Sequence, residues 1–200
     1  EGFKLKYGVF YRFCKRAQND LDRPYFFIID EINRGNISKI FGELMMLIES
    51  DKRGHEYAMP LTYTENKFYV PENIYIIGTM NTADRSIAIL DYALRRRFCF
   101  VDIEPAYNNN NFKGYLEKKS GELSKTIINK ITGLNKAIEN DVSLGRGFCI
   151  GHSYFCSEKD TITEEDYRNI VKYEILPLLS EYWFDDYDKV MEWKKELLEW

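Results

Sequence analysis

Residues 25–31 of the chain read Tyr25-Phe26-Phe27-Ile28-Ile29-Asp30-Glu31, a continuous apolar run that ends in two acids. A run of this length is typical of a strand buried on both faces, as in a parallel sheet with helices on each side. In such an open sheet, ligands bind beyond the carboxyl ends of the strands. The pattern therefore predicts a buried strand whose carboxylates, Asp30 and Glu31, lie where a ligand would bind.

Patterns of helix and strand alternate through the first hundred residues. Spacing and runs of apolar residues predict helices at 8–19, 37–48 and 87–95 and strands at 25–29, 74–79 and 98–103. Residues 51–71 contain short β-prone pieces between polar turns and predict a hairpin insertion. This order of elements predicts an α/β fold with a largely parallel sheet.

The pattern changes near Pro105. The asparagine run at 108–111 indicates a linker, and the patterns beyond it are mostly helical, at 111–119, 122–140, 163–181 and 187–199. We therefore predict two domains, an α/β domain at 1–107 and a helical domain at 108–200.

Composition limits the classes of protein and partner. The 200 residues are 44% hydrophobic, enough for a packed core, and their net charge of −4 excludes an overall basic field for nonspecific nucleic-acid binding. No apolar run approaches the roughly 20 residues of a membrane span, so we expect no membrane partner. The cysteines are scattered and form no CxxC pair, which predicts reduced thiols and a cytoplasmic location.

Polar residues after the first two strands are suited to phosphate chemistry. Asp30 can hold Mg²⁺ through water, and Glu31 can polarise a water for attack on a phosphoryl group. Asn81, after the second strand, can orient such a water without adding charge. Each also has an ordinary alternative, since strands often end in solvated acids and asparagine often caps the following helix.

Three consecutive arginines, Arg95-Arg96-Arg97, end the helix before the third predicted strand. They can supply a cation to a phosphate site. Three basic residues at a helix C-terminus also suit the helix dipole as plain surface charge.

Two weaker groups of residues point to no site. Cys149, His152 and Cys156 are close in sequence, but no fourth ligand has zinc-site spacing, so we expect no zinc. His55 lies in the polar insertion without a serine or cysteine partner, and a nucleophilic triad has no support.

Three stretches together resemble the AAA+ motor domain of the McrB family, the nucleotide-hydrolysing subunit of modification-dependent restriction systems. They are FFIIDEINRGNISKIFGELMMLIE (26–49), YVPENIYIIGTMNTADRSIAILDYALRRRF (69–98) and GFCIGHSYF (147–155). MNTADRS within the second stretch is the family's own signature. The resemblance implies a partial AAA+ P-loop NTPase core, with helices on both faces of a parallel sheet, followed by a helical lid.

The resemblance also implies roles on the nucleotide side of the site. Asp30 and Glu31 correspond to the Walker B pair, with Asp30 serving Mg²⁺ and Glu31 activating water. Asn81 corresponds to sensor 1. Asp84 and Arg85 complete the signature beside it and belong with nucleotide binding.

Other residues would act between subunits. Arg96 or Arg97 corresponds to the arginine finger, which reaches the nucleotide of a neighbouring subunit and can contribute roughly 10³–10⁵ in rate. Arg34, just after the two acids, would also face that interface. An arginine that acts on a neighbour implies a homo-oligomer, and the family implies a hexameric ring.

For the whole protein, the resemblance implies hydrolysis of GTP or ATP with Mg²⁺, coupled to translocation of DNA for a McrC-like nuclease subunit. Two alternatives stay open. One is an ATP-dependent, MoxR-like AAA+ that remodels proteins, which DNA-stimulated hydrolysis would exclude. The other is a ring or scaffold subunit that does not hydrolyse nucleotide. Such a subunit has no chemical need for the set Asp30, Glu31, Asn81, Arg96 and Arg97.

The family's phosphate-binding loop, GxxxxGKS or GxxxxGKT, does not occur in these 200 residues. We therefore expect the chain to begin inside the motor domain, after that loop. We also expect these 200 residues alone neither to bind nucleotide tightly nor to hydrolyse it.

Overall fold

A computed structural model describes five ranges of the chain, namely 4–62, 64, 66–81, 83 and 95–199. The chain divides into two compact units, Glu1–Val101 and Asp102–Trp200. We name them the core unit and the helical unit and describe each by itself.

In its described residues, the core unit contains helices α1 (Val9–Gln18) and α2 (Ile37–Phe41) and strands β1 (Tyr25–Ile29), β2 (Met59–Pro60), β3 (Lys67–Phe68) and β4 (Ile74–Gly78). β1 and β4 pair in parallel, from Tyr25 opposite Ile74 to Ile29 opposite Gly78. β2 and β3 form the antiparallel hairpin predicted within 51–71. The parallel pair confirms the α/β class predicted from the apolar runs.

One face of the parallel pair is covered by α1. The rings of Phe10 and Phe13 meet the ring of Phe27 edge to face, with centroids 5.0 and 5.1 Å apart. The long side chains of the opposite face are Phe26, Ile28, Tyr75 and Ile77, and all four are exposed. The sequence predicts burial on both faces, whereas no described element covers this second face.

The prediction of a strand at 98–103 is wrong, because the structure has no regular secondary structure at these residues. Val101 and Ile103 are 83% and 91% exposed. A β-prone segment becomes a strand only where a neighbour satisfies its backbone N–H and C=O groups. Within the described ranges, no strand pairs with this segment.

The helix predicted at 37–48 is shorter than expected. α2 ends at Phe41, and a 3₁₀ turn follows at Gly42–Met45. Gly42 has a φ of 51°, a conformation that glycine adopts without steric cost and that ends a right-handed α-helix.

The helical unit contains helices α3 (Asn110–Ser120), α4 (Leu123–Glu139), α5 (Glu164–Ile170), α6 (Leu176–Tyr182) and α7 (Tyr187–Leu198). They lie at the four predicted ranges, and the single helix predicted at 163–181 is divided into α5 and α6. A π-helical segment, Val171–Ile175, joins α5 to α6 just before Pro177. Proline lacks the amide hydrogen that an α-helix needs, and a π turn is one way for a helix to accommodate it.

Apolar side chains from all five of these helices form one core. Its fully buried members include Leu116, Ile131, Tyr167, Leu179 and Leu197. None of the described helices is long and apolar enough to cross a bilayer. All four cysteines are free thiols, and burial raises the pKa of Cys14 to about 12.

Candidate functional site

β1 and β4 end at the same edge of the sheet, so the residues that follow them are neighbours. The register places Ile29 opposite Gly78, and the next residues are Asp30 and Thr79. The Thr79 amide donates to the Ile29 carbonyl at 3.0 Å, and the Ile32 amide donates to the Thr79 carbonyl at 2.8 Å. These bonds continue the pairing past the strand ends and fix the 30–32 turn against Thr79.

The Thr79 hydroxyl connects the two acids. It donates a hydrogen bond to Oδ1 of Asp30, and it accepts one from the backbone amide of Glu31 at 3.1 Å. A hydroxyl can do both at once because it has one donor and two acceptor lone pairs. One side chain directly after β4 therefore orients both residues that follow β1.

Glu31 has an unusual backbone. Its φ of 52° and ψ of 48° lie in the left-handed region, and it is the only non-glycine residue with positive φ in the described part of the chain. This conformation disfavours residues that carry a Cβ. The Glu31 carboxylate pairs with Arg34, with Oε2 and Nε 2.7 Å apart, and both side chains are about half exposed.

Gly78 allows the turn to pack against the end of the strand. A Cβ at this position would lie 2.7 Å from Cδ1 of Ile32, closer than van der Waals contact permits. Ile32 is buried there and joins the cluster formed by Ile37, Phe41 and Ile48. The absence of a side chain at Gly78 is thus what lets Ile32 anchor the turn that begins with Glu31.

Asn81 lies beside the same turn. Its carbonyl accepts a hydrogen bond from Nδ2 of Asn33 at 3.3 Å, and its own Oδ1 accepts the Ala83 amide at 3.0 Å. Oδ1 of Asn33 is buried without a hydrogen-bond partner among the described residues. Asn81 therefore lies with the two acids at this edge. Its side-chain oxygen makes a local turn with the Ala83 amide, the ordinary role of an asparagine before a helix.

The two candidate finger arginines differ in their surroundings. The Arg97 side chain is 21% exposed; its Nη2 lies 2.6 Å from Oε1 of Glu49, and its Nε donates to the Met45 carbonyl at 3.1 Å. Arg96 is exposed. Arg97 is thus bound within its own core unit.

Some predicted site residues cannot be placed. Asp84 and Arg85 lie outside the described residues, as does most of the helix predicted at 87–95.

Sequence reasoning missed Thr79 and Asn33. A usable signal for Thr79 was the register of the two strand ends, because aligning Ile28-Ile29-Asp30 with Ile77-Gly78-Thr79 places the hydroxyl beside the carboxylate. Asn33 gave no such signal, since it lies in a turn whose path depends on Ile32 and Gly78.

Asp30 is suited to a magnesium ion. Mg²⁺ binds hard oxygen ligands and keeps several of its waters, so one or two carboxylates are enough to hold it in a protein. Asp30 is exposed at the strand end, and the Thr79 hydrogen bond engages Oδ1 alone. The donor set at this edge therefore fits the ion.

The sulfur and imidazole groups of the helical unit make ordinary contacts. Nδ1 of His152 accepts the Ala106 amide at 3.1 Å, and Cys149 donates to the Asn135 carbonyl at 3.6 Å. Among the described residues, no three His, Cys, Asp or Glu side chains are grouped to hold a metal. In the core unit, the ring of His55 packs against Tyr69.

Comparison with known proteins gives two family matches. Residues 1–98 match the AAA domain (dynein-related subfamily), and residues 126–191 match the McrB alpha-helical lid domain.

Two curated relatives are similar to the chain. Over 206 aligned residues it is 52% identical to the type IV methyl-directed restriction enzyme EcoKMcrB subunit of Escherichia coli K12, covering 98% of the chain and 45% of the relative. Over 110 residues it is 32% identical to the type II restriction enzyme BsuMI component YdiS of Bacillus subtilis 168, covering 48% of the chain and 32% of the relative. The chain thus spans less than half the length of either relative.

Proposed function

Because the chain belongs to the McrB family of AAA+ proteins, we propose that it is part of a ring-forming motor that hydrolyses GTP or ATP and moves DNA for a McrBC-like restriction endonuclease. The observation that supports this is the edge of the sheet where β1 and β4 end. Asp30, Glu31 and Asn81 lie together there, at the position where an open α/β sheet binds its ligand.

In this proposal Asp30 holds Mg²⁺, and the ion supplies positive charge that neutralises the phosphate oxygens of the nucleotide. Asp30 would hold the ion through a water molecule bound to it. The Thr79 hydroxyl bound to Oδ1 keeps the carboxylate from rotating. Asp84 and Arg85 complete the nucleotide side of the site.

Glu31 polarises the water that attacks the terminal phosphate. Its left-handed backbone directs the residue away from the line of β1, and Arg34 pairs with the carboxylate at 2.7 Å. Asn81 orients the same water through its amide, a neutral group that adds no charge next to the phosphate. Arg34 lies on the face that meets the neighbouring subunit.

We assign the arginine finger to Arg96. A finger has to reach the nucleotide of another subunit, and Arg96 is exposed, whereas the Arg97 side chain is only 21% exposed. Arg97 instead contacts Glu49 and the Met45 carbonyl in the region after α2. The site is therefore completed by a second copy of the chain, in a ring that the family implies to be a hexamer.

Partners of the whole protein follow from the family. The E. coli relative is named as a subunit of a methyl-directed restriction enzyme. We propose that the protein to which this chain belongs has a McrC-like nuclease subunit as its partner and translocates DNA. Within these 200 residues, the net charge of −4 favours local DNA contacts over contacts spread across the surface.

The test is Glu31→Gln in the full-length protein. Glutamine keeps the shape of the side chain but cannot accept a proton, so nucleotide affinity should change less than about twofold while turnover falls at least about 100-fold. Isothermal titration gives affinity, and phosphate release gives turnover. The control is Glu72→Gln, the same substitution at an exposed residue just before the first residue of β4, far from the acids in the strand direction. This variant should behave as wild type.

Turnover that persists in the Glu31→Gln protein at the wild-type rate would contradict the proposal. Loss of nucleotide binding with normal turnover per bound nucleotide would also contradict it, because Glu31 would then be a binding group.

A further inference from the structure

We propose that Thr79 is the positioning residue of this site, and that its hydroxyl holds Asp30 and Glu31 in the arrangement that hydrolysis requires. The inference rests on the proposed function, which assigns the chemistry to those two acids. It concerns a residue directly after the other strand, β4, and this residue touches neither the attacking water nor the nucleotide in that mechanism.

The first step of the argument is the hydrogen-bond pattern. The Thr79 hydroxyl donates to Oδ1 of Asp30 and accepts the Glu31 amide at 3.1 Å. A hydrogen bond to a carboxylate is charge-assisted and about twice as strong as a neutral one. The hydroxyl thus fixes the Asp30 side chain and the Glu31 backbone at the same time.

The second step is the conformation of Glu31. Its left-handed backbone is unfavourable for a residue with a side chain, and such a conformation persists only where its surroundings hold it. Three hydrogen bonds do so here. They are Glu31 amide to Thr79 hydroxyl at 3.1 Å, Ile32 amide to Thr79 carbonyl at 2.8 Å and Arg34 amide to Glu31 carbonyl at 2.9 Å.

The third step is what remains when the hydroxyl is removed. Valine at position 79 keeps the β-branched shape and the backbone bonds to Ile29 and Ile32, so the strand pairing survives. The Asp30 carboxylate becomes free to rotate, and the Glu31 amide loses its acceptor. A displacement of about 1 Å in a catalytic group can cost on the order of 100-fold in rate.

The experiment compares Thr79→Val with Thr79→Ser in the full-length protein. We expect Thr79→Val to lower the turnover number about 10- to 100-fold and to change the KM for nucleotide less than about threefold. Thr79→Ser keeps the hydroxyl and should stay within about threefold of wild type. Thr79→Ala is the substitute if the valine variant does not fold, because alanine introduces no steric conflict.

Thr62→Val is the matched control. Thr62 lies in the same unit and also donates its hydroxyl to a carboxylate, Oε2 of Glu43, while its amide donates to the same group. It lies in the hairpin connection and outside the proposed site. Thr62→Val should therefore keep the wild-type turnover number.

A second readout needs no nucleotide. In amide hydrogen exchange of the free protein, the Glu31 amide should exchange about 10-fold faster in Thr79→Val than in wild type or Thr79→Ser. A structural role confined to folding would instead raise exchange across β1 and β4 together.

Equal loss of turnover in Thr79→Val and Thr79→Ser would overturn the inference, because the hydroxyl would then not be the group that acts. Wild-type turnover in Thr79→Val, with Glu31→Gln inactive, would overturn it while leaving the proposed function intact. Glu31→Gln that still hydrolyses nucleotide would overturn both.

Discussion

Asp141 accepts four hydrogen bonds at the junction of three elements of the helical unit. Its Oδ2 accepts Nε1 of Trp183 at 2.8 Å and Nζ of Lys189 at 2.6 Å, and its Oδ1 accepts the amide and hydroxyl of Ser143 at 2.9 and 2.6 Å. Lys189 also lies 4.4 Å from the centroid of the Trp183 ring. Asp141 therefore links the end of α4 to α6 and α7.

These contacts stabilise the ionised carboxylate. Hydrogen bonds from Lys189, Ser143 and Trp183 hold the pKa of Asp141 far below its ordinary value, and the side chain is only 12% exposed. A carboxyl whose pKa is lower in the folded than in the unfolded state contributes stability above the unfolded-state pKa of about 3.9. That contribution is lost as the pH falls towards the folded-state pKa.

We expect Asp141→Asn to lower the Tm of the helical unit by about 5 °C at pH 7, since asparagine cannot pair with Lys189 as a carboxylate does. The deficit should shrink as the pH falls from about 4 to 2, because the unfolded-state carboxyl then takes up a proton that the folded state does not, and the contribution of Asp141 to stability decreases. The three tryptophans, at 183, 193 and 200, all belong to the helical unit, so their fluorescence follows its unfolding.

Asp185→Asn is the control, because Asp185 is exposed near the start of α7. It should leave the Tm within about 1 °C of wild type across the same pH range. A deficit in Asp141→Asn that stays constant from pH 7 to 2 would mean that the lost contacts do not depend on the charge of Asp141.

At the scale of elements, the close contact of Gly78 with Ile32 sets how the turn after β1 meets the end of β4. We expect Gly78→Ala to destabilise the core unit by about 1–3 kcal/mol, because the added methyl overlaps Ile32 and forces it out of its buried position. Thermal melting followed by circular dichroism measures the effect.

Gly114→Ala is the matched substitution. Gly114 lies within α3 with no atom within 4 Å of an added Cβ. Alanine favours a helix over glycine, so this variant should be more stable by about 0.5–1 kcal/mol. If Gly78→Ala also raised the Tm, Ile32 would not pack closely against Gly78 as described.

Local sequence predicts elements that are stabilised by their own apolar pattern. α1, β1, β4, the hairpin and the helices of the helical unit were all predicted within a few residues. The predictions fail where a single backbone angle or a distant pairing partner determines the secondary structure. Gly42 ends α2 through its backbone angle, and residues 98–103 form no strand because no described neighbour pairs with them.

The candidate site also combines features that local sequence predicts with features that depend on distant residues. The sequence predicts Asp30, Glu31 and Asn81 as site residues, because polar residues that directly follow apolar strands indicate the ligand edge of a sheet. It missed Thr79, whose role depends on the register between strands far apart in the chain. The left-handed backbone of Glu31 is also beyond local prediction, because it is held by hydrogen bonds in which the distant Thr79 takes part.

At the scale of the whole molecule, the proposal assigns to the chain one side of the hydrolytic site and the arginine that would serve the next copy. Asp30 and Glu31 follow β1, whereas Arg96 lies after the segment that the structure leaves undescribed. In a ring, each site therefore combines the acids of one subunit with the finger of its neighbour. Under this proposal, hydrolysis is a property of the assembly.

The most direct test of the central claim is nucleotide turnover in mixed rings of Glu31→Gln and Arg96→Ala full-length subunits. Each variant alone should be nearly inactive. In an equal mixture, an Arg96→Ala subunit still has its Glu31 and can face an Arg96 from a Glu31→Gln neighbour, so turnover should recover towards about a quarter of the wild-type value. If the mixture is no more active than either variant alone, although both enter the same rings, the two residues do not form a site shared between subunits and the account is wrong.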